Sequence, residues 1–334
     1  MAISRILGFN NNDFQMSIKM TAQIFIDGDV GTTGLQIKSR LEGRSDIELL
    51  RLDDAVRKDP VKRAEMLNRA DISILCLPDD AAIESASMIT NPNARLIDAS
   101  TAHRIADGWV YGFTEYNRTQ AAEIAKAKRV ANPGCYALTS ISILHPLVNA
   151  GILPIDWPVT INAISGYSGG GKGMIATFED KENVAYTETP FFAYGLALNH
   201  KHLPEITHWS GISHSPLFVP SVGRYAQGMI VQTPLPLWSM SGNFKAKDVH
   251  QALSDHYDGQ KFVSVAPLSE TQELSKLEPE GLNNTNELRL HVFTDGSNEQ
   301  VVVAGLLDNL GKGASGQAVQ NLNLMLNVDE SSGL

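Results

Sequence analysis

The chain has 334 residues, 43% hydrophobic and 19% charged, enough to bury the cores of two ordinary domains. A formal charge of −10 speaks against nucleic acid as a partner, which needs a basic face, but leaves room for a small anionic substrate held by a few local cations. No apolar run reaches membrane-spanning length, so no membrane partner is expected, and two cysteines in so long a chain point to a reducing, cytoplasmic setting rather than a disulfide framework.

Residues 1–19 contain Asn-Asn-Asn and no sustained period, and read as a poorly ordered leader from an upstream start codon or an appended segment. Met20 opens what reads as the folded chain. The predicted elements then alternate: strand 22–28, helix 34–44, strand 47–52, helix 60–70, strand 71–78, helix 80–89, strand 94–100 and helix 119–130. Strands alternating with helices of this length predict an α/β fold with a parallel, doubly wound sheet. Between the first strand and the first helix stands G-D-V-G-T-T-G, with Gly28, Gly31 and Gly34. Glycines there let the backbone turn sharply and approach a pyrophosphate, whose charge sits at the helix N-terminus. At the end of the second strand, Asp53 or Asp54 suits an NAD ribose, while Arg51, Arg57 and Lys58 suit the 2′-phosphate of NADP. The residues leave the two cofactors open.

The two cysteines differ in setting. Cys76 lies among leucines at the third strand, where burial raises a thiol's pKa, and reads as a small core residue. Cys135 follows Pro133 and Gly134 and heads a helical run that stops at Gly151, with Pro146 as a possible kink. Unpaired N–H groups at a helix start favour a thiolate and can hold an oxyanion. A nucleophilic cysteine needs an acid/base partner. His200 and His202, two apart ahead of Glu205, are the candidates, with Glu205 orienting one of them. A metal reading of the same pair lacks a third ligand at zinc spacing, and no metal is expected. "SGYSGGGK" (165–172) is a glycine loop ending in Lys172, suited to wrapping an anionic group or to serving as a linker. "DNLGKGASGQAVQNLNLML" (308–326) puts Gly311, Lys312, Gly313 and Gly316 before an amphipathic helix, which suggests a return to the cofactor domain.

Taken in order, "GDVGTTG", "NPGCY", "SGYSGGGK", "HKHLPEI" and "NLGKGASGQAVQNLNLM" resemble the N-acetyl-gamma-glutamyl-phosphate reductases of the shorter type, relatives of aspartate-semialdehyde dehydrogenase. The resemblance runs from about Met20 to the end. It implies a Rossmann domain over 20–134 with 311–334, binding NADP(H). It also implies a second α/β (α+β) substrate and dimerisation domain with a mixed sheet over 135–310, in a homodimer or homotetramer. The implied reaction reduces a small acyl-phosphate substrate, N-acetyl-glutamyl phosphate, to the semialdehyde with release of phosphate, through a thioester on Cys135, in arginine biosynthesis. His200 would carry the proton, supported by His202 and Glu205. The same resemblance places Gly28, Val30, Gly31, Thr32, Thr33, Gly34, Gly169, Gly170, Lys172, Asn309, Gly311 and Lys312 at the cofactor. It places Arg104 of "DASTAHR", Asn132 and Arg224 at the substrate. Asp53 and Asp54 depart from what an NADP enzyme needs. The rivals are another acyl-phosphate reductase, of the aspartate-semialdehyde or aminoadipate kind, and a cysteine acyltransferase or hydrolase without a nucleotide. A further rival is a cofactor-sensing module with an inert thiol.

Overall fold

The computed structural model describes residues 21–334, so the leader expected over 1–19 lies outside the described residues. The first part of the chain runs β1 (Ala22–Asp27), α1 (Thr32–Leu41), β2 (Ile47–Leu50), α2 (Pro60–Arg69), β3 (Ile72–Leu75), α3 (Asp79–Ser87), β4 (Arg95–Asp98), β5 (Val110–Tyr111), α4 (Gln120–Lys126) and β6 (Arg129–Ala131). These strands form one six-stranded sheet, ordered β2-β1-β3-β4-β6-β5 and parallel throughout. Its strands are apolar on both sides because both faces are covered. Ile24, Ile26, Ile72, Ile74 and Ile97 pack toward α1 and α4, while Phe25, Leu75 and Leu96 pack toward α2 and α3 through Leu67 and Ala82. The order reverses between β1 and β3, and the crevice outside their carboxyl ends is where such sheets take a ligand.

Local chemistry sets the boundaries. Asp59 caps α2 by accepting from the N–H groups of Val61 and Lys62, with Pro60 in the first turn. Gly28 has φ of +92°, and a Cβ there would stand 2.4 Å from the Cys76 carbonyl oxygen, so the turn after β1 admits only glycine. The helix predicted over 119–130 ends at Lys126 instead. Arg129–Ala131 pair with β4 and β5, and this ladder overrides the helical spacing of the local sequence.

The rest of the chain adds α5 (Cys135–Asn149), β7 (Thr160–Gly166), α6 (Gly171–Glu179), β8 (Phe191–Ala193), α7 (Leu203–Ser210), β9 (Leu217–Gly223), β10 (Met229–Pro236), α8 (Ala246–Tyr257), β11 (Val263–Val265), α9 (Leu268–Glu273), β12 (Leu288–Thr294), β13 (Gln300–Leu307) and α10 (Gly316–Met325). The second sheet is seven-stranded and mixed, ordered β11-β12-β13-β10-β7-β9-β8. Helix α5 lies in its core, with Tyr136, Ala137, Leu138, Ile141, Ile143, Leu144 and Leu147 buried beside β-strand residues such as Val231, Leu290 and Val303. Its Thr139, Ser140 and Ser142 hydroxyls donate to carbonyls one turn back, so a polar run can be buried within the helix. Pro146 is accommodated inside the helix. Helix α10 packs Ala318, Val319, Leu322 and Met325 into the core of the first sheet. A turn with i→i+5 hydrogen bonds over Gly311–Ser315 leads into it.

Candidate active site

Cys135 is delivered by β6. The strand ends at Ala131, Asn132–Gly134 cross its carboxyl edge in extended form, and α5 begins at the cysteine. The crossing is tight. A Cβ on Gly134 would fall 2.4 Å from both Arg104 Nη1 and His202 Nε2, and one on Gly313 would fall 2.8 Å from Cys135 Cβ. Cys135 is therefore gripped between the Gly134 turn and the Gly311–Ser315 turn.

Behind Gly134 stands a buried polar cluster. Glu205 Oε1 accepts from the Gly134 N–H at 3.0 Å and from Tyr111 Oη at 2.9 Å, and its Oε2 takes Arg104 Nη1 at 2.8 Å. Arg104 also donates from Nε to the Asn132 carbonyl at 3.1 Å and from Nη2 to the Ala99 carbonyl at 3.3 Å. Tyr111 is stacked on Trp209, whose indole N–H donates to the Arg104 carbonyl at 2.8 Å. Burial pushes the Glu205 carboxyl up, against Arg104, the Gly134 N–H and the Tyr111 hydroxyl, which pull it down. Glu205 thus braces the Gly134 turn that leads to Cys135. It was expected to orient a histidine, but its hydrogen-bond partners are Gly134, Tyr111 and Arg104, and neither histidine is among them.

The cleft beside Cys135 holds about 320 Å³ and is lined by Thr32, Thr33, Arg104, Asn132, Gly169, Gly170, His200, Lys201, His202 and Asn309, among others. Burial pushes the Cys135 thiol above its ordinary value of 9.0, against the Tyr136 N–H and the charges of Arg104 and Lys201, which pull it down. A helix start was expected to ionise this thiol; desolvation outweighs it here. Cys76, just past β3, is pushed up to about 12 by burial and by Asp98, Asp27 and Asp29. His200 is lowered to about 4 by burial, then by Lys201 and Arg104. His202 is lowered well below its ordinary value by burial, then by Arg104, and its Nδ1 is buried without a partner. His200 Nδ1 accepts the His202 N–H at 3.2 Å, which fixes the neutral ring's proton on Nε2.

A second cavity, of about 390 Å³, opens between the ends of β1 and β2, lined by Gly28, Asp29, Val30, Lys38, Leu50, Arg51, Leu52, Arg57, Lys58 and Arg63. The glycine turn and the start of α1 separate it from the Cys135 cleft. Gly31 is the N-cap of α1 and supplies no side-chain cap, so the helix's first N–H groups are left for a ligand. Two recesses on either side of an uncapped helix start fit a dinucleotide, with its pyrophosphate at the helix end. Cations favour a 2′-phosphate in the second cavity. Asp27 is already paired with Arg63 at 3.1 Å and Asp29 with Lys38 at 3.6 Å, and Asp54, which does not line the cavity, pairs with Arg57 at 3.8 Å, leaving Lys58 outside these ion pairs.

Several predicted site residues lie elsewhere or are already engaged. Lys312 is fully buried, 2.8 Å from both oxygens of Glu115 and from Gln320 Oε1, and does not reach the cleft. Gly311 backs onto the Thr285 carbonyl. Lys172 is exposed and outside the cleft lining. Arg224 is exposed, donates to the Thr187 carbonyl and lies over the Phe178 and Tyr186 rings, again outside the cleft. Asn132 does line the cleft, but its amide joins Ala314 O and Asn321 Nδ2. Asn309 ties Ser168 and the Gly228 N–H to the end of β13, so it shapes the glycine loop. Sequence reasoning passed over Tyr111, Trp209 and Lys201. Only Lys201 had a local signal, its place between two histidines.

A parallel cofactor sheet joined to a mixed sheet, with a cysteine at the seam, defines a semialdehyde-dehydrogenase-type oxidoreductase. Residues 30–124 match the semialdehyde dehydrogenase NAD binding domain, and residues 135–309 match the semialdehyde dehydrogenase dimerisation domain. Within that class the chain belongs to the N-acetyl-gamma-glutamyl-phosphate reductase family. It is 54% identical over 92% of its length to the reductase of that name from Chelativorans sp., covering 99% of it, and 50% identical over 92% to that of Rhizobium meliloti, covering all of it. Its fold is similar to that of aspartate semialdehyde dehydrogenase II of Vibrio cholerae, at TM-score 0.64 and 14% identity, over 92% of this chain and 99% of that one. No helix among the described residues is long and apolar enough to cross a membrane.

Proposed function

We propose that the chain reduces N-acetyl-glutamyl phosphate to N-acetylglutamate semialdehyde and phosphate with NADPH, as an arginine-pathway enzyme of a reducing cytoplasm. The observation that carries this is the pair of recesses astride the start of α1, the inner one holding Cys135. Thr32 and Thr33 would receive the pyrophosphate, and Arg57 with Lys58 the 2′-phosphate. When bound, the nicotinamide supplies the hydride that takes a thioester to the aldehyde level.

The chain's own residues do the rest. Cys135 Sγ attacks the acyl carbon, the bond from that carbon to the phosphate oxygen breaks, and the thiol proton leaves with the phosphate. The N–H groups at the start of α5 face the oxygen on which charge develops. His200 is the proton carrier, acting through Nε2. Charging His202 costs more, because it is the more deeply buried ring and lies beside Arg104. Glu205, Arg104 and Tyr111 hold the Gly134 turn, so that the sulfur meets the carbonyl in one geometry. A homodimer or homotetramer formed through the second domain accords with the dimerisation-domain match.

The test is the reverse reaction, oxidation of N-acetylglutamate semialdehyde with and without inorganic phosphate, run with NADP and with NAD. Phosphate-dependent turnover preferring NADP is expected. Cys135→Ser should abolish it while nucleotide binding persists. Turnover that ignores phosphate, or survives in Cys135→Ser, would refute the mechanism.

A further inference from the structure

An acyl phosphate brings a phosphate dianion into the cleft, and the cleft must meet it with a cation. Only Arg104 and Lys201 among the lining residues carry a fixed positive charge. Arg104 is committed. Three of its five N–H groups go to Glu205, the Asn132 carbonyl and the Ala99 carbonyl, it is 7% exposed, and the Glu205 carboxylate at contact distance offsets much of its charge. His200 and His202 are held neutral by their burial. Lys172 and Arg224 stand outside the cleft.

Lys201 differs from all of these. It sits between two histidines that line the same wall, is exposed, and forms none of the ion pairs found among the described residues. Asp79, a carboxylate that feels its charge, is already bound to the backbone and hydroxyl of Thr101. Lys201 lines the same cleft as Cys135, and its charge acts on that thiol alongside the charge of Arg104. A lysine ammonium is a compact charge on a flexible stem, suited to a phosphate that must arrive on the substrate and depart alone.

We infer that Lys201 is the residue that holds the phosphoryl group of the substrate and, in the reverse direction, inorganic phosphate. This rests on the acyl-phosphate reaction proposed above. The whole enzyme is assayed for semialdehyde oxidation while inorganic phosphate is varied, in the unsubstituted chain, in Lys201→Met and in Lys201→Arg. Loss of a charge-assisted contact should raise the KM for phosphate about 10- to 100-fold in Lys201→Met. The KM values for semialdehyde and NADP should stay within about twofold. Lys201→Arg should recover most of the phosphate affinity. An unchanged phosphate KM in Lys201→Met overturns the inference, as does an equal rise in the semialdehyde KM, which would put Lys201 at the substrate's other end. If the unsubstituted enzyme shows no phosphate dependence, the acyl-phosphate reaction itself fails, and the inference falls with it.

Discussion

Cys135 and Cys76 both lie past carboxyl ends of strands in the same sheet, and their surroundings give them different fates. Cys76 meets three carboxylates, which add to burial and keep its proton on. Cys135 meets Arg104, Lys201 and a helix N–H, which oppose burial without overcoming it. The resting thiol is therefore protonated at neutral pH. Alkylation with iodoacetamide, followed by mass spectrometry, should label Cys135 slowly at pH 7 and ever faster up to and beyond pH 9.0, its ordinary value. Cys76 should stay unlabelled in the folded chain over that range. A rate at Cys135 that levels off below pH 8 would mean the thiolate is already formed at rest. Cys76→Ser should cost little activity, and a loss as severe as that of Cys135→Ser would place the reactive thiol wrongly.

At the scale of elements, the seam between the domains depends on the turn that leads into α10. Its i→i+5 bonds, Gly313 N to Asp308 O and Ser315 N to Leu310 O, aim Gly313 at Cys135 and send Lys312 the opposite way. Lys312 then meets Glu115 in a chamber closed to water. Removing one member of a buried pair typically costs about 3–5 kcal/mol, because the other charge is left uncompensated. Lys312→Met should destabilise by about that much. Lys312→Met with Glu115→Gln should recover a good part of it, and chemical denaturation of the two variants measures the difference. Equal losses would mean that the pair's electrostatics do not govern the seam. This turn also marks the limit of what the sequence discloses. Alternation of apolar runs and helices gave the parallel sheet, and Gly28 and Cys135 announced themselves through neighbours in the chain. The family resemblance placed Lys312 at the cofactor. Its partner, Glu115, is 197 positions away, and no local pattern points to it. Arg104 and Glu205 pair across 101 positions, which is why each could be assigned a cleft role on its own. The predicted helix ran on to residue 130 for the same reason, since the partners of β6 are β4 and β5 rather than its neighbours in sequence.

For the whole molecule, the buried imidazoles set a limit on the acid side. His145 is lowered to about 4 by burial and by His256, and His200 also to about 4. His202, His256 and His291 are lowered too, burial leading in each case. In the unfolded chain each would titrate near 6.5. Below 6.5 the unfolded chain takes up protons that the folded one refuses, so folding stability falls with pH until the folded groups titrate, at about 4 for His145 and His200. Carboxylates add to acid unfolding in any protein, so the histidine share needs its own variant. His145 stacks on Tyr116 at 4.0 Å between ring centroids and accepts or donates only to the exposed Asn149 side chain. His145→Phe keeps the stacking and removes the titration. Its Tm should match the unsubstituted chain closely at pH 7.5 and exceed it progressively as pH falls toward 5. The ceiling is about 1.4 kcal/mol per pH unit, reduced by solvent screening of a ring that is only partly buried. A gap between the two proteins that stays constant with pH would show that this ring is protonated as readily in the fold as out of it.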